Sequence, residues 1–139
     1  MPEEKKAEQH FRHKMLSSSK GFSFCYLERL HTSADFNKVL KNGKKLKTVF
    51  VDIYALKRKD NNEIRRLGLI TSRKVGKAVK RNTAKRRLRE IFRTNKHKLT
   101  PGLDIIFILK PQITSTGYGK LKTTILDCLE SAKFYNNII

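Results

Sequence analysis

Residues 72–93 read SRKVGKAVKRNTAKRRLREIFR and hold ten Lys and Arg residues against one acid, Glu90. Like charges at this density repel one another and oppose compact folding, so the segment predicts a polyanionic partner. The planar fork of Arg grips a phosphate through two hydrogen bonds, whereas Lys acts as a point charge. Such contacts fix the position of a nucleic acid without reading its sequence. Phosphate binding is therefore the chemistry that this stretch offers.

Other side-chain patterns in the chain do not predict catalysis or metal binding. Gly68 and Gly76 are separated by seven residues where a phosphate-binding P-loop has four, and Ala78 stands where that loop needs Ser or Thr for magnesium. His10 and His13 have no Cys, Asp or Glu partner at metal-site spacing. No Ser, Cys or paired-carboxylate arrangement suggests a nucleophile or an acid–base pair. We therefore expect no catalytic residue and no metal held by a protein motif.

The basic bias extends to the whole chain of 139 residues, in which 32 Lys and Arg oppose 12 Asp and Glu and give a formal charge of +20. This excess predicts nucleic acid or an anionic membrane surface as the partner. A helix that binds a membrane surface needs bulky apolar residues that face lipid. In residues 78–95 the apolar residues beside the cations are needed for the protein core. No apolar run approaches the roughly 20 residues of a membrane span. Two widely separated Cys fit a reducing compartment. We expect a cytoplasmic protein that does not bind membranes.

The length predicts one domain with a single core. Residues 1–28 are highly charged and then Ser-rich, and their apolar residues show no sustained helical or strand periodicity. We interpret them as a flexible basic N-terminal extension. Residues 29–139 then form the one domain, which contains the phosphate-binding stretch.

The elements before the basic stretch are a helix and two strands. In HTSADFNKVLKNG, Thr32 can cap a first helix with Asp35 three residues later. LKTVFVDIYALK is rich in β-branched and aromatic residues and predicts a strand, and RRLGLITS predicts a second. The polar KRKDNNE between them predicts a hairpin loop, so the two strands are expected to pair antiparallel.

The basic stretch itself predicts a helix over residues 78–95. Ala84, Leu88, Ile91 and Phe92 make one apolar stripe. An adjoining basic arc holds Asn82, Lys85, Arg86, Arg89 and Arg93, while Arg87 points elsewhere. LDIIFILK predicts a central strand, and residues 118–132 predict a last amphipathic helix. These residues locate three strands, and the full predicted order is α-β-β-β-α-β-α, with one further strand before the basic helix. The fold class is α/β (α+β), a two-layer sandwich of three helices on a mostly antiparallel sheet of about four strands.

Four large side chains allow two interpretations, which the spacing leaves open. Phe36, Leu40, Phe50 and Tyr54 fall on faces that are typical of a hydrophobic core. Aromatic residues on a sheet beside basic residues also stack unpaired bases. We favour the core for Phe50 and leave both interpretations open for Tyr54.

RNTAKRRLREIFR, preceded by SRKVGKAVK, resembles the bacterial ribonuclease P protein subunit, in which an Arg-Asn-Arg box opens a basic helix. RLHTSADFNKVLKNG is similar to the opening helix of that family, RLGLITSRKVG to the strand and loop before the box, and DIIFILKP to the last strand. The resemblance covers about residues 29–133. It implies an α/β sandwich with a left-handed β-α-β crossover, opposite to the general handedness rule.

The resemblance also implies a function. The family belongs to a ribonucleoprotein endonuclease that removes the 5′ leader from precursor tRNA, in which the RNA subunit catalyses the reaction with bound magnesium ions. We expect ribonuclease P RNA and precursor tRNA as partners, and one copy of the protein in the holoenzyme. The residues that correspond to the surface facing the RNA subunit are Arg73, Lys74, Lys77, Lys80, Arg81, Asn82, Lys85, Arg86 and Arg89. Those that correspond to the cleft for the single-stranded leader are Phe36, Leu40 and Tyr54.

Two residues depart from the family pattern. Thr83 replaces the second Arg of the box, so that a cationic contact is missing or comes from Arg87 or a neighbour. Leu40 stands where an aromatic residue is common, which predicts weaker stacking there. The alternative function is a general RNA-binding or ribosomal-type protein without a processing role, which would not require the ordered segments on either side of the basic helix. A protein-only nuclease would need grouped carboxylates, and the 12 acidic residues are scattered.

Overall fold

The computed structural model describes residues 26–60 and 62–135. Of the predicted extension, residues 1–28, the first 25 residues lie outside the described residues. Tyr26–Glu28 form a 3₁₀ turn, and the Glu28 carboxylate lies 2.7 Å from Lys96 Nζ. The described part of the domain thus begins before residue 29. Its main elements follow the predicted order: α1 (Ser33–Asn42), β1 (Lys44–Lys47), β2 (Val51–Lys57), β3 (Arg66–Ile70), α2 (Ala78–Asn95), β4 (Leu103–Leu109) and α3 (Tyr118–Ser131).

The four strands make one sheet in the order β1-β2-β4-β3. β2 pairs antiparallel with β1 and with β4, whereas β3 pairs parallel with β4. The mixed, mostly antiparallel sheet is therefore confirmed, and β3–α2–β4 forms a β-α-β crossover. The predicted hairpin between β2 and β3 is wrong. β4 inserts between them because its continuous apolar sequence suits a position that is buried on both faces.

The stretch predicted as one strand over residues 46–57 is two strands joined by a tight turn. The Thr48 hydroxyl donates to the Val51 carbonyl at 2.7 Å and accepts from the Val51 amide at 3.1 Å. This side chain closes the turn, so that β1 folds back antiparallel on β2. Val49 is left exposed at the tip.

Helices cover both faces of the sheet. Along β2, Val51, Ile53 and Ala55 point into a core shared with α2 and α3, while Tyr54 and Leu56 point to a smaller cluster under α1. The predicted α/β (α+β) class, with three helices on a four-stranded sheet, is confirmed, with α1 on one face of the sheet and α2 and α3 on the other. The alternation of side chains along β2 predicts two faces of the sheet, but it does not indicate that helices cover both of them.

A buried ionic cluster fixes one end of the sheet. Asp104, near the start of β4, is only 2% exposed and accepts hydrogen bonds from Arg58 and Arg66. Arg58 also donates to the carbonyls of Asn62 and Ile64, so it holds the loop that carries the chain from β2 past β4 to β3. The cluster raises the pKa of Arg66, chiefly through its hydrogen bond to Asp104. This ionic cluster, and not the predicted hairpin, holds β3 in position.

Candidate nucleic-acid interface

Eight of the nine residues predicted to face the RNA lie on two adjoining elements, the 3₁₀ turn Arg73–Val75 and α2, and the ninth, Lys77, is the N-cap of α2. Gly76, between them, has a φ of 133°, which L side chains rarely adopt, and so permits the sharp change of direction into the helix. Seven of the nine side chains belong to exposed residues, and the other two, Arg81 and Lys85, are half-buried. The structure thus leaves every member of the predicted set at least partly accessible, at neighbouring positions along the chain.

The predicted division of α2 into an apolar stripe and a basic arc is confirmed. Ala84, Leu88, Ile91 and Phe92 are buried in the main core. This packing holds the helix rigidly, and its cations therefore project from an ordered backbone. A fixed array of this kind binds phosphates with less loss of side-chain and backbone freedom than a flexible basic tail would.

Two cations of the basic stretch are already engaged within the protein. Arg87, as predicted, points away from the arc, and its guanidinium donates to the Thr116 carbonyl at 3.0 Å. Arg93 donates to Glu90, and this hydrogen bond lowers the pKa of Glu90 and raises the pKa of Arg93. Glu90 thus offsets the charge of Arg93. Neither arginine belongs to the nine residues predicted to face the RNA, so these contacts do not reduce the positive charge of that set.

Thr83 does not replace the missing arginine of the box. Its hydroxyl donates to the Val79 carbonyl at 3.0 Å, one turn back along the helix. Because Arg87 is bound to Thr116 on another side of α2, it is not placed to supply that charge. Position 83 therefore presents a short polar side chain beside the exposed Val79.

Phe36 and Leu40 of α1 and Tyr54 of β2 come together on the face of the sheet that α1 covers. All three are half-buried and pack against Leu30, Val39 and Ile106. Phe36 lies against Gly68, where an added Cβ would come within 2.6 Å of the ring, so only glycine allows this close approach. Phe50, by contrast, is buried in the core on the opposite face, as predicted. The predicted cleft residues are thus grouped, and each keeps some exposed surface.

A pocket of about 170 Å³ lies between Phe36 of this group and two cations of α2. It lies at the β3 edge of the sheet, and Lys85 and Arg89 of α2 line it together with Phe36 of α1 and Gly68. Sequence reasoning did not place Lys85 and Arg89 beside Phe36, because about fifty residues separate them along the chain. The one local signal was a glycine inside the strand RLGLI, which indicates a close approach.

The described residues give little support for a metal site, a membrane span or a reactive thiol. Within residues 26–60 and 62–135, no three or more His, Cys, Asp or Glu side chains cluster in a way that could hold a metal ion. The helices of the described part of the chain are too short or too polar to span a bilayer. Burial raises the pKa of the half-buried Cys128 thiol, which favours its unreactive protonated form.

Comparison with known proteins agrees with this architecture. The family model described as Ribonuclease P matches residues 24–133. The ribonuclease P protein component of Alkaliphilus oremlandii is 34% identical over 113 residues, which cover 81% of this chain and 97% of the relative. The structure of the RNase P protein of Staphylococcus aureus superposes with a TM-score of 0.71 at 29% identity, over 78% of this chain and 98% of that one. A mutant of the S. aureus protein with defective mRNA degradation activity superposes with a TM-score of 0.74 at 26% identity, over 89% and 98% of the two chains.

The chain therefore belongs to the ribonuclease P protein component family. The known role of this family is the 5′ processing of tRNA, and membership implies an RNA partner.

Proposed function

We propose that this chain is the protein subunit of a ribonuclease P holoenzyme that removes the 5′ leader from precursor tRNA. The basic surface of the Arg73–Val75 turn and α2 binds the catalytic RNA. The cleft of Phe36, Leu40 and Tyr54 holds the single-stranded leader. The observation that supports the proposal is the pocket that Lys85, Arg89 and Phe36 line together, because two residues of the predicted RNA-binding set lie there beside one residue of the predicted cleft. A strand that leaves the RNA-bound face can then enter the cleft directly.

In this proposal the protein assists and the RNA subunit catalyses. Magnesium ions act through the RNA subunit, and the chain contributes positive charge that reduces phosphate repulsion when the two RNAs meet. The holoenzyme contains one copy of the chain and works in the cytoplasm.

A role in mRNA degradation is a second candidate, which the S. aureus mutant with defective mRNA degradation activity favours. For this chain we retain the ribonucleoprotein function as the main proposal, since its sequence predicts no nucleophile–base arrangement and no paired carboxylates for independent cleavage. A general RNA-binding role remains the alternative that a failed reconstitution would favour.

Reconstitution tests the proposal. Precursor tRNA is incubated at low magnesium with a bacterial ribonuclease P RNA, with this chain, or with both. We expect mature tRNA and an intact leader fragment only when both components are present, because added positive charge substitutes for part of the magnesium requirement. The chain alone should leave precursor tRNA and an unstructured mRNA uncut. Magnesium-dependent cleavage by highly purified protein, abolished by a single carboxylate substitution, would instead establish a protein nuclease.

Tyr54 distinguishes the cleft from the core. Tyr54→Ala should weaken holoenzyme binding of precursor tRNA by roughly 1–3 kcal/mol if a base stacks on the ring. Binding of mature tRNA and of the RNA subunit should not change, since neither uses the cleft. Tyr54→Phe keeps the ring and serves as the matched control, with nearly normal affinity. The measurements are equilibrium binding of both tRNAs and a thermal melt of each variant. Equal losses for the two tRNAs, or a melt showing an unfolded domain, would assign Tyr54 to the core.

A further inference from the structure

A second group of cations lies at the opposite edge of the sheet from the pocket. Residues 36–51 contain five lysines and no acidic residue. Three of the five, Lys44, Lys45 and Lys47, belong to the exposed edge strand β1. None of the five forms an ion pair with a carboxylate among residues 26–60 and 62–135. Their charge is therefore available to an external anion.

The register of β1 on β2 divides these lysines between the two faces of the sheet. Lys45 pairs with Tyr54 and Lys47 with Asp52, so both side chains lie on the face of the cleft. Lys45 Nζ lies 5.6 Å from the centre of the Tyr54 ring. Lys44 pairs with Ala55 and points to the other face. Lys45 and Lys47 are thus placed to act together with Tyr54.

A row of residues across the strands connects these lysines to the basic surface. Lys47 pairs with Asp52, Asp52 with Ile108, and Ile108 with Ile70. Lys110 Nζ lies 3.0 Å from Asp52 and offsets its charge. Ile70 ends β3 only three residues before Arg73. At a strand spacing of about 4.8 Å, the row spans on the order of 14 Å from β3 to β1.

We infer that Lys45 and Lys47 form a second phosphate-binding site, which holds the part of the single-stranded leader that lies 5′ of the nucleotides in the cleft. This inference rests on the proposed function. Cleavage occurs at the 3′ end of the leader, on the RNA subunit bound to α2. The strand therefore enters at the β3 edge, crosses Tyr54, and leaves over β1 towards its 5′ end. Lysines on an edge strand also oppose aggregation by edge pairing, but that role does not require a particular face.

The test compares leaders of two lengths in the reconstituted holoenzyme. One precursor tRNA carries a leader that ends within the cleft, and the other carries a leader extended by several nucleotides. The variant is Lys45→Ala with Lys47→Ala. The control is Lys44→Ala with Lys120→Ala, which removes the same charge from exposed residues, one on the other face of β1 and one in α3. Binding of each precursor, of mature tRNA and of the RNA subunit is titrated over a range of salt.

We expect the Lys45 and Lys47 variant to lose affinity for the long leader alone. At about 0.7 per phosphate neutralised on a single strand, removal of the two lysines should reduce the salt slope by about 1.4. The ratio of affinities for the long and the short leader should therefore fall between about 50 and about 200 mM salt. This fall should be about sevenfold larger for the wild type than for the variant. The control variant should behave as wild type.

Other results would overturn the inference. An unchanged affinity for the long leader, an equal loss for short leader and mature tRNA, or the same loss in the control variant would each exclude a leader-specific site. Replacing both lysines by Gln keeps long polar side chains on β1 and must reproduce the loss if charge is its cause. If wild-type holoenzyme binds precursor no more tightly than mature tRNA, the proposed function fails, which is a separate outcome.

Discussion

Replacing Arg81, Arg86 and Arg89 together by alanine is expected to weaken binding to ribonuclease P RNA by about 2–4 kcal/mol, at roughly 1 kcal/mol or more for each arginine–phosphate hydrogen bond removed. None of the three forms an ion pair with a carboxylate of the described residues, so their charge is free for phosphate. The slope of log K against log salt should become shallower by roughly 2–3, because each phosphate that the protein neutralises releases counterions. Isothermal binding at several salt concentrations measures both quantities.

The fold should tolerate these three changes, since none of the side chains belongs to the apolar stripe of α2 and alanine favours helix. The matched control replaces Lys59, Lys120 and Lys122, which carry the same total charge and belong neither to the Arg73–Val75 turn nor to α2. If the control weakens RNA binding equally, the interaction depends on net charge alone. A salt slope that is the same in both variants would also contradict a defined basic surface.

The second large effect is on stability. Asp104→Asn should reduce the free energy of unfolding by about 3–5 kcal/mol, because it leaves two guanidinium groups beside a neutral side chain in the protein interior. Arg58 is 8% exposed, and Arg66 makes two hydrogen bonds to Asp104, at 2.8 and 2.7 Å. The loss should appear as a lower midpoint in urea denaturation at an unchanged slope.

Asp60→Asn is the control for the stability prediction. The Asp60 side chain also pairs with Arg58, at 3.3 Å, but is 56% exposed. A solvent-exposed pair contributes about 0–1 kcal/mol, so this variant should melt close to wild type. Equal destabilisation by the two substitutions would show that burial of Asp104 is not what makes its ion pairs important.

Helices were predictable from the sequence because their signals are local. The predicted cap is present, with the Thr32 hydroxyl accepting from the Asp35 amide at 3.1 Å. The 78–95 helix and its buried stripe were predicted with correct bounds, since apolar spacing over eighteen residues defines one face strongly. The basic surface was predictable from the local sequence as well, because its residues lie on consecutive turns of one helix and on the turn before it.

The arrangement of the sheet was not predictable in the same way. A polar loop between two strands does not show that a third strand, forty residues later, will separate them. One residue did carry a signal: Asp104 interrupts the apolar run LDIIFILK, and a carboxylate inside a central strand requires a buried cationic partner. Two arginines, Arg58 and Arg66, flank the loop between β2 and β3 and fill this role.

The candidate site was predictable only in part for the same reason. Phe36, Leu40 and Tyr54 came from the resemblance, and their grouping depends on α1 lying across the sheet. The position of Lys45 opposite Tyr54 depends on the Thr48 turn, which the single predicted strand did not include. Where a residue's neighbours come from distant parts of the chain, its local pattern does not identify them.

The central place of β4 also has a consequence for biosynthesis. β2 and β3 lie on either side of a strand that begins only at Leu103, so neither the sheet nor the support for α2 can be completed until that strand has been made. Such non-local pairing slows folding and leaves unpaired strand edges on the nascent chain. During synthesis the strongly cationic segment therefore emerges before its scaffold exists.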